Sequence, residues 1–247
     1  MLAMVIRQDL GIEYVLMMSS FTSFCLFLGT WWFFREPVPV AGAVTAKRTF
    51  AGVFRDMILV FQNAKFILFL VIFSGFWIMF WQIFYLLPFY ATKVLNFERF
   101  EILETVDAWC IIFFSVFMAA VFKKWKPFTA MTIGFVIASC SWLLIGGLGT
   151  TLATILGVAM FAIGEATQAP RFYEYVSSLA PSEQVGTYMG FAFLPVAIGS
   201  FGAGAVSDWL RLSYMEANPS MMWFVLSGIG ITTTVLMMVY HRIYNKS

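Results

Sequence analysis

Seven stretches of about twenty apolar residues dominate this chain, at 13–34, 66–90, 104–122, 127–148, 150–178, 187–209 and 220–241. The hydrocarbon core of a bilayer is roughly 30 Å thick, and an α-helix needs about 20 residues to cross it. The residues between these stretches cannot supply a water-facing shell. Only 11% of the chain is charged and 61% is hydrophobic, whereas a soluble domain carries roughly 25% charged residues. The fold class that follows is all-α, a polytopic membrane protein of seven transmembrane helices, with the lipid bilayer as its first partner. A net charge of +2 gives no argument for nucleic acid. Cys25, Cys110 and Cys140 lie inside apolar runs and read as packing residues. His241 is the only histidine, which argues against histidine-based metal or nucleophile chemistry; no cofactor is expected.

Apart from 35–65, the intervening loops are short. That segment opens with Arg35-Glu36-Pro37 and has a second proline at Pro39, so the first helix is expected to stop there. Phe50, Val53, Phe54, Met57, Ile58 and Phe61 then recur at helical spacing, with Arg55, Asp56, Gln62 and Asn63 on the other side. Leu59 and Val60 blur the pattern, but it predicts an amphipathic helix at the membrane surface. Residues 1–34 thus form an external N-terminus and first transmembrane helix, 35–65 a cytoplasmic linker, and 66–247 a six-helix body. A cytoplasmic C-terminus puts eleven of the fifteen Lys and Arg residues inside and four outside, as the positive-inside rule requires. The expected location is the cell (inner) membrane. No cleavable signal is evident, because MLAMVIRQDLGIEY has an apolar tip followed by mixed charges.

Within the spans, polar residues carry the information, since an ionisable group at mid-membrane costs about 2.5–3.5 kcal/mol on insertion scales. Glu165 stands out, following TILGVAMFAIG and preceding Pro170 by five residues. Proline removes its own N–H and frees the carbonyl of Ala166, so the carboxylate sits beside a loosened turn. It suits a proton or a cationic ligand group; a structural glutamate capped by a neighbouring helix is the alternative. Arg171 and Glu174 are three apart on one face and read as an ion pair at the cytoplasmic mouth. Asp107, early in the third span, is either a gate or ligand group or a solvated helix start beside Glu101 and Glu104. Gln82 is the strongly polar residue of the second span, where Trp77, Trp81, Tyr85 and Tyr90 accompany it as a pocket or as packing. The sixth span sets Gly199, Ala203 and Ser207 four apart, a surface for close helix approach, and Pro195 is expected to add a bend.

The stretch GEATQAPRFYEYVSSLAPSEQVGTYMG resembles the tenth-to-eleventh-helix segment of major facilitator superfamily transporters, closest to the proton-dependent oligopeptide transporter branch. The matching residues are Gly164, Glu165, Pro170, Leu179, Ala180, Pro181, Gly186, Thr187, Met189 and Gly190. The resemblance implies that the first span is the family's sixth helix and the other six its C-terminal half. It implies that Glu165 receives a substrate amino terminus, with Asp107 at a family asparagine and Gln82 at a family glutamine. Trp81 stands where an acidic residue is expected, Val185 where a basic one is usual, and Ser178 at a common lysine position.

The resulting expectation is a secondary transporter, or the C-terminal half of one, moving a small polar solute such as a di- or tripeptide together with protons. A missing N-terminal half or a second copy would complete it, because the opening MLAMVI reads as the tail of a preceding helix. A non-transporting membrane scaffold or partner subunit is the alternative. An intramembrane enzyme would need a nucleophile–base pair or metal ligands, and a retinal photoreceptor a lysine in mid-span; neither pattern is visible.

Overall fold

Asn63 shows how local sequence sets the architecture. Its Oδ1 accepts the Phe66 N–H at 3.1 Å and caps one long helix, while its Nδ2 donates to the Tyr188 hydroxyl at 2.9 Å, from a distant helix. The computed structural model describes residues 2–35 and 50–244. The proline-marked stop at Glu36, Pro37 and Pro39, and the basic Lys47, Arg48 and Lys246, lie outside the described residues. The helices are α1 (Leu2–Asp9), α2 (Ile12–Phe33), α3 (Phe50–Gln62), α4 (Ala64–Phe80), α5 (Gln82–Tyr85), α6 (Leu87–Lys93), α7 (Glu101–Phe122), α8 (Pro127–Leu148), α9 (Thr151–Leu179), α10 (Val185–Phe191), α11 (Leu194–Tyr214) and α12 (Pro219–Tyr244). They form two compact units, 1–53 and 54–247.

In the first unit Gly11 has φ 104°, a left-handed value that glycine adopts without strain, and it separates α1 from α2. Helix α2 spans 22 mostly apolar residues and buries none of them. Such a helix needs lipid or another protein around it.

Among the described residues, seven helical spans are long and apolar enough to cross a membrane: Ile12–Phe33, Ala64–Lys93, Glu101–Phe122, Pro127–Leu148, Thr151–Leu179, Val185–Tyr214 and Pro219–Tyr244. They match the seven apolar runs within a few residues, with two corrections. The second span is broken at Trp81 and Leu86 into α4, α5 and α6, and Pro88 sits in the first turn of α6, where its missing N–H costs nothing. The sixth span is interrupted between Phe191 and Leu194, so Pro195 opens α11 rather than bending a continuous helix. Pro170, by contrast, lies inside an unbroken α9.

The second unit is built on aromatic stacking and glycine contacts. Phe73 stacks on Phe172 at 4.0 Å, Phe76 on Phe161 at 5.4 Å and Trp142 on Trp223 at 5.2 Å, joining α4, α8, α9 and α12. Such pairs add about 0.5–1.5 kcal/mol beyond their buried area. Where α8 crosses α9, a Cβ on Gly134 would stand 2.6 Å from the Gly164 carbonyl oxygen, and one on Gly164 would stand 2.7 Å from that of Gly134. Only glycine at both positions permits this approach. The stripe Gly199, Ala203 and Ser207 is buried in the same manner, and a Cβ on Gly199 would strike Trp77 of α4. Val60, one of the residues that blur the amphipathic pattern of α3, is fully buried, and next to it Phe61 meets Phe191 edge-on at 4.9 Å. These two residues anchor α3, while Phe54, Met57 and Ile58 are exposed.

Candidate functional site: a carboxylate cleft between α7 and α9

Glu165 follows Gly164 directly, and successive helical residues point about 100° apart. The tight crossing turns Gly164 toward α8, and this aims Glu165 elsewhere. It opens on a cleft of about 360 Å³ lined by Ile111, Ser115, Val116 and Ala119 of α7 and by Glu165, Ala166, Ala169 and Pro170 of α9. Small side chains make the space: Ser115 and Ala119 lie four apart on α7, and Ala166 and Ala169 three apart on α9.

The face that α7 turns inward carries Leu103, Asp107, Met118 and Phe122. Asp107 is only 6% exposed. It lies one turn before Ile111, a residue of the cleft lining. Asp107 Oδ1 and Glu165 Oε2 are both shut off from solvent without a hydrogen-bond partner. Buried polar atoms in proteins are nearly always satisfied, so each of these carboxyl oxygens is of the kind that a proton or a cationic group would satisfy.

Met118, Phe122, Ala130 and Ala166 form a small apolar cluster of their own, packed by Ile133 and Ile163. Just beyond it, Arg171 donates to Glu174 Oε2 at 2.6 Å and to the Phe122 carbonyl at 2.6 Å. The ion pair expected from the spacing of these residues also ties the end of α9 to the end of α7.

The residues expected to join Glu165 divide into two groups. Asp107 sits on the helix that walls its cleft. Gln82 does not: it is fully buried, and its amide nitrogen donates to the Ile78 carbonyl at 3.2 Å and the Ala203 carbonyl at 3.1 Å, which locks α5 to α11. Trp77, Trp81 and Tyr85 belong to an aromatic run with Phe80 and Phe84, in which Trp81 stacks on Tyr85 at 5.7 Å and Phe80 reaches Phe161 of α9 at 6.4 Å. The indole nitrogens of Trp77 and Trp81 are buried without partners. Tyr85 and Ser207 line a separate hollow of about 370 Å³ with Asp208 and Arg211, themselves paired at 2.6 Å. Ser115, Ala119 and Ala169 were not singled out in the sequence; their small size at helical spacing is the signal that points to them.

The sequence profile of the Major Facilitator Superfamily matches residues 1–204. Curated relatives include the multidrug resistance protein MdtH of Aeromonas hydrophila, 27% identical over 125 residues, which are 49% of this chain and 31% of that protein. The MdtH protein of Aeromonas salmonicida is 32% identical over 99 residues, 38% of this chain and 24% of the relative. The matches thus take up less than a third of these relatives' length. Among solved structures, a POT family transporter in complex with a thioalcohol-conjugated peptide superposes with a TM-score of 0.63 at 15% identity, covering 96% of this chain and 54% of that one. A POT family transporter in complex with 5-aminolevulinic acid gives 0.62 at 16% identity, covering 95% and 54%. At these identities the likeness is one of fold.

Proposed function

Because the chain belongs to the Major Facilitator Superfamily, we propose that it forms the ligand-lining C-terminal half of a secondary active transporter that moves a small polar solute, such as a di- or tripeptide, with protons. One observation carries this reading: a mid-span glutamate with a buried, unpartnered oxygen opens on a cleft, and the helix that walls this cleft carries a second buried carboxyl. In transporters built from two helical halves the site lies near the bilayer midplane, and broken helices line it. Glu165 takes the proton or the amino group of the solute, and Asp107 strengthens the negative field it meets. The stretch from Gly164 to Gly190, with its resemblance to the peptide branch, supports this solute class. Drug export is the second reading, supported by the multidrug resistance relatives.

The superposition covers 54% of the solved transporter chain, so transport is proposed to need a second helical half, from another chain or a second copy. Reconstitution of the 247-residue chain with and without candidate halves, scored by oligomeric mass and by uptake over a panel of peptides, amines and drugs, tests this. Uptake should depend on Glu165, and Glu165→Gln should abolish it while expression is kept. Unaltered uptake in that variant would make Glu165 structural, and saturable flux by a strict monomer would remove the need for a second half. A membrane with no flux of any panel member in either setting favours a scaffold. The proposed orientation puts the α7–α8 turn in the cytoplasm. A cysteine at Lys124, with the three natural cysteines replaced, should resist impermeant thiol reagents applied outside cells, and labelling there would reverse the topology.

A further inference from the structure

Helices α4 and α12 cross where Gly75 leaves room, since a Cβ at that position would fall on the Thr233 hydroxyl. Along this crossing they enclose a groove of about 820 Å³ that shares no residue with the carboxylate cleft. Its floor holds the buried Ser74, Thr233 and Tyr240. The hydroxyls of Ser74 and Thr233 are spent on carbonyls of their own helices, those of Val71 and Ile229, at 2.6 and 2.8 Å. The walls are exposed hydrocarbon, Leu68 and Val71 on α4 and Val239 and Ile243 on α12. From Leu68 to Ile78 the groove follows α4 for about 15 Å at 1.5 Å per residue. That is one leaflet's share of a hydrocarbon core about 30 Å thick.

At the end where α4 begins and α12 stops, the apolar groove meets basic groups. Lys65 lies one turn before Leu68, and its ammonium stands 3.4 Å from the Tyr244 carbonyl oxygen and 5.7 Å from the centre of the Tyr244 ring. Tyr244 itself lines the groove. Arg242 is exposed in the last turn of α12. Phe128 stacks on His241 at 4.0 Å, which brings the start of α8 to the same place, with Lys126 as its N-cap. None of α4, α8 and α12 contains an Asp or a Glu. These helices therefore offer the cations no carboxylate of their own.

We propose that the groove seats an acyl chain of an anionic phospholipid, whose phosphate is held at the mouth by Lys65 and Arg242. A chain lying on a flat helix surface touches protein on one side, whereas here it meets two walls and a floor and gains dispersion contacts on each. An ammonium has three donors. The Tyr244 carbonyl takes one from Lys65, and the phosphate oxygens take the others. The lysine stem runs along apolar surface with its charge at the interface, the usual disposition of such a side chain. Charge complementarity selects this occupant. A transmembrane helix of a partner would fill the groove and leave the cations at its mouth unopposed, and a free phosphate would meet the cations and leave the groove empty. In the orientation proposed above, the mouth faces the cytoplasmic leaflet, whose anionic lipids attract basic residues. The site is separate from Glu165 and stands whatever solute the chain moves.

The experiment titrates the full chain in mixed micelles with phosphatidylglycerol or phosphatidylcholine of matched acyl chains and counts bound lipid by native mass spectrometry. Phosphatidylglycerol should bind the tighter of the two. Lys65→Gln should weaken it about fivefold, the order of one basic residue's attraction at an anionic surface. Lys124→Gln, at an exposed lysine of the α7–α8 turn outside the groove, should leave it unchanged. Gly228 lines the groove, and a Cβ there meets nothing within 4 Å. Gly228→Leu should therefore fold, fill the groove and weaken both lipids about fivefold or more, the loss of a methylene or two from apolar contact. Gly147→Leu, at an equally open glycine of α8, should weaken neither. Thermal midpoints check folding, and Thr232→Phe, at an exposed residue of the same groove, replaces Gly228→Leu if that variant is lost. Equal binding of the two lipids by the unaltered chain overturns the proposal, as does equal weakening by Lys124→Gln and Lys65→Gln. So does full lipid binding in the filled groove, or competition by glycerol phosphate as strong as by the whole lipid. A change of oligomeric mass in Gly228→Leu with lipid binding kept would give the groove to a second copy instead.

Discussion

Helix α9 has two working faces that obey opposite rules. Toward α8, Gly164 and Gly134 bring their backbones so close that no Cβ fits, and a Cβ on Gly157 would strike the Ile145 side chain. Toward α7, the next residue, Glu165, looks into a cleft walled by serine and alanine with unpartnered carboxyl oxygens. The first face is dry and fully packed, so it holds the helix in one place. The second is less tightly packed and holds an unpartnered carboxyl oxygen, which suits the binding role proposed for Glu165. One helix thus fixes a functional group by tightness on the side away from it.

The largest effect should come from breaking the tight face. Gly164→Leu forces a branched side chain against the Gly134 carbonyl and the Ala138 backbone N–H, and overpacking of this kind costs about 3 kcal/mol or more where backbone must move. We expect loss of folded protein, read as a vanished monodisperse peak and thermal transition in detergent. Normal folding of Gly164→Leu would mean that α8 and α9 part readily, and the contrast between the faces would fall.

Next in size is Gln82→Ala. It removes both hydrogen bonds that lock α5 to α11 and leaves a buried void, together worth about 2–3 kcal/mol. The thermal midpoint should fall by several degrees. If stability holds and solute affinity falls instead, Gln82 acts on the ligand, through the Oε1 that its two bonds leave unpartnered.

Asp107→Asn should act in the other direction. The amide keeps the shape of the side chain and ends its repulsion with Glu165, so stability should hold or rise by up to about 1 kcal/mol. Glu165→Gln should behave alike. A loss above about 1 kcal/mol in either would show that the carboxyls are tied into the fold, making the loose face structural like the tight one.

The difference in legibility follows the same division. Helices were readable because twenty apolar residues in a row state their own length, and Glu165 because it interrupts such a run. Val60 was not, since an apolar residue out of phase on an amphipathic helix gives no hint that it is the anchor. Nor was the packing of α7, which carries Asp107, on α9, which carries Glu165: 57 residues and the whole of α8 lie between the two acids, and no periodicity reports which helices pack together. Gln82 was seen as buried and polar, yet its partners Ile78 and Ala203 are backbone carbonyls, which every residue has. Sequence marks the cost of a buried polar group; only packing shows what offsets it.

The smallest effect is expected at Gly186 and Gly190 of α10, which carry the resemblance to the peptide branch and yet would meet nothing within 4 Å if given a Cβ. Glycine in a helix is about 0.8–1.0 kcal/mol less favourable than alanine. If these positions answer only to this chain, Gly186→Ala and Gly190→Ala should each raise stability by up to that amount, a shift of a few degrees at most. Compared with Gly164, they separate glycines that are filled from within from glycines that face open space. Flux in the presence of the second half then decides what the open space is for. Stabilised variants with unchanged flux leave these glycines without a contact role. Stabilised variants that no longer associate with the second half would show that another helix comes as close to α10 as α8 comes to α9, and that the tight rule extends to a face left open in this chain.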